Sequence, residues 1–373
     1  MARHLLIFNP DSDMALAQGG DNYTAPPFAR QLADDLATLP LWLARPGDVV
    51  LTERPEDGRW ISLMSKRYGL QVGHITPAEL SQVRECRVMP WGWNATLRKR
   101  LIADGLSSDL LPTVDEISAL RSLSHRRTSI AIHQRLSAMM GHSFSPLPVE
   151  ISSLEEVKRF GAEHPGAYCK APWSGSGHGV MRILDPDATD FVQWCHGILR
   201  RQGSVLCEVA LDRTMDFALE FWRDAQDGSV ALAGYSIFWS DRHSQYASGM
   251  IAPAQRLHDR IADYCPEIDD VARAMCLILQ ELISGTCYEG YLGVDMLIYR
   301  DGYGRVALDP CVEMNLRATM GAVTARLGQL GLRGGFQIVR KMSVSLSISM
   351  LPTTLLNPDY PDTDYIAVIK DSY

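Results

Sequence analysis

The sequence predicts an open parallel α/β sheet at the N-terminus followed by a larger α+β region, and three observations carry that expectation. Short β-prone runs alternate with helical patterns over about the first 110 residues, the pattern of strands laid parallel with helices between them. From Pro146 the composition changes, and short apolar runs are now separated by Gly and Asp turns. A long amphipathic segment over 269–284 then precedes two β-prone runs flanking Asp301-Gly-Tyr-Gly304, a hairpin signature.

In chain order, residues 4–8 read as a first strand that breaks at Asn9-Pro10-Asp11 and feeds a polar loop. A helix is expected over 27–39, a buried strand over 48–52 and another over 86–90. Helical patterns cover 115–123 and 124–140, with Ser124 as the expected N-cap of the second. Strands are expected over 168–171, 179–183, 204–209 and 217–222, then over 293–299 and 305–315 as the hairpin. The expected units are residues 1–115, 116–203, 204–335 and a C-terminal extension over 336–373 of unassigned role.

The 373 residues are enough for two or three packed units, and 46% hydrophobic with 21% charged residues is an ordinary globular composition. A net charge of -8 argues against a nucleic-acid partner, which needs clustered Lys and Arg, while leaving room for a local basic pocket. Eight scattered cysteines include no Cys-x-x-Cys pair, so zinc and disulfide frameworks lose support and buried reduced thiols are expected. No run approaches the roughly 20 apolar residues of a membrane span, and a cytoplasmic enzyme is the expectation.

Lys170 closes a short strand and is followed by Trp173-Ser-Gly-Ser-Gly-His-Gly179. Glycines at 175, 177 and 179 let the backbone approach phosphate oxygens as an anion nest, which the adjoining lysine would share. The absence of Gly-Lys-Ser/Thr separates this loop from a P-loop, and a solvated turn is the bland alternative. Glu208 ends one strand and Asp216 precedes the next, so the two acids can flank one ligand. In Val306-Ala-Leu-Asp-Pro-Cys-Val-Glu-Met-Asn-Leu-Arg317, alternation puts Asp309, Glu313, Asn315 and Arg317 on one face. Two oxygen ligands and a guanidinium there suit a magnesium-bound polyphosphate, with Asp295 on the partner strand as a second carboxylate.

The order and spacing of these signals resemble the ATP-grasp superfamily over roughly residues 120–330. The resemblance implies an N-terminal open α/β domain and two α+β subdomains closing over ATP. It implies that Lys170 contacts phosphate, that Gly175, Ser176, Gly177 and Gly179 belong to a glycine-rich lid, and that Glu208 and Asp216 face adenine and ribose. It implies Asp295, Glu313 and Asn315 as ligands of Mg²⁺, with Mn²⁺ as an alternative metal, and Arg317 facing substrate or the transferred phosphate. Where the family carries an earlier lysine this chain reads Ser124-His-Arg-Arg127, which makes Arg126 the expected α-phosphate contact, and the long interval from Asp295 to Glu313 leaves Asp309 competing for the metal.

The implied function is an ATP- and Mg²⁺-dependent ligase that activates a carboxylate as an acyl phosphate for attack by an amine or other nucleophile. Its partners are expected to be small-molecule or peptide carboxylates and amines, with no nucleic acid or membrane and with oligomeric state open. A nucleotide-binding regulatory protein without turnover is the first alternative. A phosphotransferase with His178 as carrier is the second. Substrate choice is expected from the N-terminal loops, Asn9–Asp13, 22–27 and Trp91-Gly-Trp93.

Overall fold

A computed structural model of the chain describes residues 4–175, 179–241, 245–341 and 353–371. The first sheet is built from β1 (His4–Ile7), β2 (Val49–Leu51), β3 (Gly73–Ile75) and β4 (Arg87–Pro90), all parallel, in the order β3-β2-β1-β4. Helices α1 (Ser12–Gln18), α2 (Pro27–Asp35), α3 (Asp57–Tyr68) and α4 (Ala95–Ala103) connect and flank these strands. Every residue of β1 and β2 is buried, as expected where helices cover both faces of a parallel sheet.

Two helices follow, α5 (Val114–Leu123) and α6 (Arg127–Met140). Thr113 and Glu116 form a reciprocal capping box that starts α5. Ser124 does not start α6: it is the C-cap of α5, its hydroxyl donates to the Leu120 carbonyl, and Arg126 stands at the α6 N-cap. The link between the helices is one tight turn, too short for a separate capping loop.

A second sheet contains β5 (Val149–Ile151), β6 (Tyr168–Lys170), β7 (Val180–Arg182) and β8 (Val205–Glu208) in the order β5-β8-β6-β7, antiparallel throughout. Helices α7 (Leu154–Glu163) and α8 (Thr189–Gln202) accompany it. This sheet has its own core, with Val157, Cys169, Phe191, Cys195 and Cys207 fully enclosed. All eight cysteines are free, and five are buried.

The third and largest sheet has eight strands. They are β9 (Asp212–Arg223), β10 (Val230–Ser240), β11 (Tyr246–Ile251), β12 (Gly290–Arg300), β13 (Val306–Asn315), β14 (Gly334–Arg340), β15 (Thr353–Leu355) and β16 (Tyr365–Lys370). Their order is β13-β12-β9-β10-β11-β14-β16-β15. The strand expected over 217–222 is longer than that: Asp212 and Arg213, with the look of turn residues, begin the twelve-residue strand β9. Helices α9 (Ala254–Ala262), α10 (Ile268–Leu282) and α11 (Met320–Gln329) complete the chain.

Two apolar cores join the sheets. One combines Leu5 and Val49 with Phe217, Leu219 and Leu292 and with α10 through Val271, Met275 and Ile278. The other packs Leu6, Trp42 and Val50 against Phe336, Leu356 and Ile369, so the C-terminal strands close on the N-terminal sheet. Trp42 Nε1 donates to the Leu356 carbonyl at 2.8 Å, and Asp35 accepts from the backbone N–H groups of Asp364 and Tyr365. Among the described residues no helix is long and apolar enough to cross a membrane.

Candidate active site

Strand register aligns the acids of the largest sheet in rows. Glu313 of β13 lies opposite Asp295 of β12, which lies opposite Ala218 of β9 and then Ser236 of β10. The next row is Asn315, Gly293, Glu220 and Gly234; the row on the other side is Asp309, Leu297, Asp216 and Phe238. Side chains in neighbouring rows share one face, because each row is two residues along β9, β10 and β12. Pro310 sits at an irregularity between these rows, where an extra length of β13 opposes β12 and the missing N–H is tolerated. Two added residues preserve parity, so Asp309 stays on the face of Glu313. The long interval from Asp295 to Glu313 is therefore absorbed, and these two acids are direct cross-strand partners.

This face and the second sheet wall a cleft of about 1450 Å³, open solvent at its mouth included. Arg126, Lys170, Glu208, Asp216, Asp295, Asp309, Glu313, Asn315 and Arg317 all line it. The structure thus brings together residues that the sequence separates by almost 200 positions. Gly175 and Gly179 are not among the residues that line it, while Ser176, Gly177 and His178 lie outside the described residues.

Among the residues expected to hold the metal, Asn315 Nδ2 donates to Asp295 Oδ2 at 3.3 Å. Burial and the nearby charges of Glu313 and Glu220 push the Asp295 carboxyl up to about 8, against a smaller opposing pull from Arg317. Asp309 is raised to about 6 by burial and the charge of Glu208. Among the described residues no group of three or more His, Cys, Asp and Glu side chains gathers for a metal, and the third donor here is the amide of Asn315. Two crowded carboxylates and an amide oxygen fit a small hard dication, whose charge relieves the repulsion that raises Asp295.

The cationic side differs from the expectation in one respect. Lys170 forms an ion pair with Glu208 across β6 and β8. Arg126, 6% exposed, is committed to protein partners: Nη1 pairs with Glu313 Oε2 at 2.8 Å, Nε donates to the Ala171 carbonyl at 3.0 Å, and Nη2 donates to the Ser174 carbonyl at 3.0 Å. Its fork clamps the backbone after Lys170 to Glu313 of β13, which an ammonium could not do with one planar group.

Two residues complete the centre: Asp13, from the loop expected to choose substrate, and Glu220, which the sequence reading did not single out. Asp13, in the first turn of α1, accepts from both Nε and Nη2 of Arg317 at 2.9 Å. A Cβ on Gly175 would lie 2.2 Å from Asp13 Oδ2, so the described end of the glycine loop rests on this ion pair. Glu220 is 1% exposed; Ser236 and Thr319 donate to its two oxygens at 3.1 and 2.7 Å. Burial raises its carboxyl to about 7, and the two hydroxyls oppose that rise. An acid inside the apolar run Phe217 to Trp222 was the visible sequence signal for Glu220. Nothing local announced the Asp13 contact, which joins residues 304 positions apart. Trp91 and Trp93 are both buried; Trp91 packs edge-on against Phe8, and Trp93 borders the crevice beside Arg317.

No protein-family model matches this sequence, and no curated protein matches it. Solved structures do. N5-carboxyaminoimidazole synthetase from Staphylococcus aureus, complexed with ADP, aligns over 99% of this chain and 92% of its own at 12% identity and TM-score 0.52. The biotin carboxylase–β-γ-ATP complex from Campylobacter jejuni aligns over 100% and 88% at 12% identity and TM-score 0.52. The biotin carboxylase domain of Hydrogenobacter thermophilus 2-oxoglutarate carboxylase, in complex with MgADP and bicarbonate, aligns over 99% and 86% at 11% identity and TM-score 0.52. These are ATP-grasp enzymes. This chain has the ATP-grasp fold, an N-terminal open parallel sheet followed by two α+β sheets, as the sequence resemblance implied.

Proposed function

We propose that the chain is an ATP- and Mg²⁺-dependent ligase that activates a substrate carboxylate as an acyl phosphate for attack by an amine or another nucleophile. The observation that carries this reading is the convergence in one cleft of Lys170, Arg317 and the Asp295, Glu313 and Asn315 donors, contributed by two different sheets. The neighbours' ADP and MgADP complexes support nucleotide and magnesium as ligands. On this reading residues 1–115 supply substrate contacts, 116–203 and 204–335 enclose the nucleotide, and 336–373 brace the assembly.

Asp295, Glu313 and Asn315 would hold Mg²⁺, which supplies charge neutralisation at the terminal phosphates. Lys170 stabilises phosphate oxygens, and Glu208 orients its ammonium beside them. Glu208 and Asp216 face the base and ribose. Arg317, held through Nε and Nη2 by Asp13 and through Nη1 by the Ala318 carbonyl, offers its remaining Nη hydrogens to the substrate carboxylate or the transferred phosphoryl group. Catalysis is then positioning and electrostatic stabilisation, with no covalent role for a side chain.

One observation favours a second reading. The Arg126 guanidinium is spent on Glu313, Ala171 and Ser174, which leaves a nucleotide-binding assembly protein without turnover as the alternative. Incubation with Mg-ATP and pooled carboxylates and amines separates the readings, with ADP and product mass as readouts. A product equal to acid plus amine minus water supports ligation. A stable phosphorylated product contradicts it, and nucleotide binding without ADP release supports the alternative.

A further inference from the structure

A second cavity lies away from the nucleotide cleft, between α1, α4 and α5, with about 1080 Å³ of space including its open mouth. Its walls are apolar at Leu16, Ile102, Val114 and Ile117, and two guanidinium groups, Arg98 and Arg121, border it. Lys99 and Asp21 also line it, but they pair with each other at 3.3 Å. The two arginines are different. Arg98 Nε donates to the Pro112 carbonyl at 2.6 Å and Arg121 Nε to the Leu16 carbonyl at 2.8 Å, and among the described residues neither forms an ion pair. Partial burial lowers the Arg121 pKa with no carboxylate opposing it.

A guanidinium that borders an apolar cavity with no ion-pair partner is a ready contact for a ligand anion. The backbone also makes room for this one. Gly19 ends α1 with φ 73°, and a Cβ there would lie 2.9 Å from Arg121 Nη2.

The cavity connects to the reaction centre in two ways. Leu16 lines both this cavity and the crevice beside Arg317, one turn of α1 beyond Asp13. Arg121 stacks on the Trp173 ring at 3.7 Å, and Trp173 Nε1 donates to the Arg121 carbonyl at 2.9 Å. Trp173 belongs to the segment that leads from Lys170 into the glycine loop.

We infer that this cavity holds the distal end of the carboxylate substrate, and that this end carries a second anionic group read by Arg98 and Arg121. The inference rests on the ligase reading for the identity of its occupant. The substrate class is an extended organic acid with an apolar body, one carboxylate at Arg317 and a second anion on the order of 10 Å away, the length of α1 between the two sites.

The test uses straight-chain α,ω-dicarboxylates from glutarate to sebacate, each compared by calorimetry with the monocarboxylate of equal length on the full chain. The longer diacids are expected to bind about tenfold tighter than their monoacids, the scale of one charge-assisted contact. Arg98→Gln and Arg121→Gln are each expected to remove that preference, and Arg121→Lys to restore part of it. Because Arg121 also braces Trp173, Arg98→Gln is the decisive variant. Equal binding of diacids and monoacids by the unsubstituted chain overturns the inference, as does a preference that survives in both glutamine variants. ADP binding, measured in parallel, tests the ligase reading separately: its loss beside an intact diacid preference would sink that reading and leave the anion site standing.

Discussion

Arg126 and Glu313 form an ion pair at 2.8 Å that ties the backbone following Lys170 to β13 on the far wall of the cleft. The arginine is almost fully enclosed and the glutamate is four-fifths so. Removing one member of such a pair leaves the other desolvated and alone. Arg126→Ala is therefore expected to lower stability by about 3 kcal/mol, measured by urea unfolding. Arg126→Lys retains the charge but loses the two-carbonyl clamp, so it should fall between. An Arg126→Ala variant as stable as the parent would contradict the clamp.

Gly321 and Glu220 are packed without spare volume. A methyl on Gly321 would stand 2.0 Å from Glu220 Oε1 and 2.5 Å from Ser236 Oγ. Gly321→Ala is expected to cost about 1–3 kcal/mol through overpacking, with the thermal midpoint as readout. An unchanged midpoint would show that the acid has room to move.

Glu220 also sets a pH dependence. Its folded pKa of about 7 exceeds the ordinary 4.5, so the native state holds this proton more tightly than the unfolded chain. The stabilisation it contributes is complete below about pH 4.5 and is lost as pH rises through 7. Glu220→Gln removes that loss and should gain on the parent by on the order of 2 kcal/mol between pH 5 and 8. Parallel stability profiles of the two proteins would argue against a strained buried carboxylate.

His4 shifts stability in the same direction with pH, but through its charged form. Burial alone would lower its pKa, but Asp48 at 3.0 Å and Glu289 at 3.3 Å outweigh burial and raise it to about 9. Its stabilising charge is fully present below the unfolded value of 6.5 and is lost as pH climbs through 9. Discounted for partial screening, the expected loss between pH 7 and 10 is about 1–2 kcal/mol. His4→Gln should flatten that limb of a urea-midpoint profile.

The sequence made the metal face legible because alternation in a strand is a local rule. Glu313, Asn315 and Arg317 needed only period two to be placed together, and Asp295 needed only the hairpin. Contacts decided by tertiary packing were hidden. Asp13 meets Arg317 only after the parallel sheet docks on the largest one, and Glu220 acquires its meaning from the glycines and hydroxyls that surround it. Local rules also misled where an element joined its neighbour without a loop. Ser124 has the chemistry of an N-cap but ends α5, and Asp212 with Arg213 look like turn residues because their end of β9 is exposed. The C-terminal strands β15 and β16 escaped notice for a related reason. β16 pairs with β14, which follows α11 and does not form a tight hairpin with it, and β15 pairs with β16 at the edge of the sheet.

Calorimetric titration of ADP with and without Mg²⁺, on the parent and on Glu313→Ala, tests the central claim most directly. The account predicts that Mg²⁺ tightens nucleotide binding to the parent by about tenfold or more and that Glu313→Ala loses this gain while still binding ADP. Absence of nucleotide binding by the parent, or a magnesium effect that survives in Glu313→Ala, would contradict the assignment of this cleft.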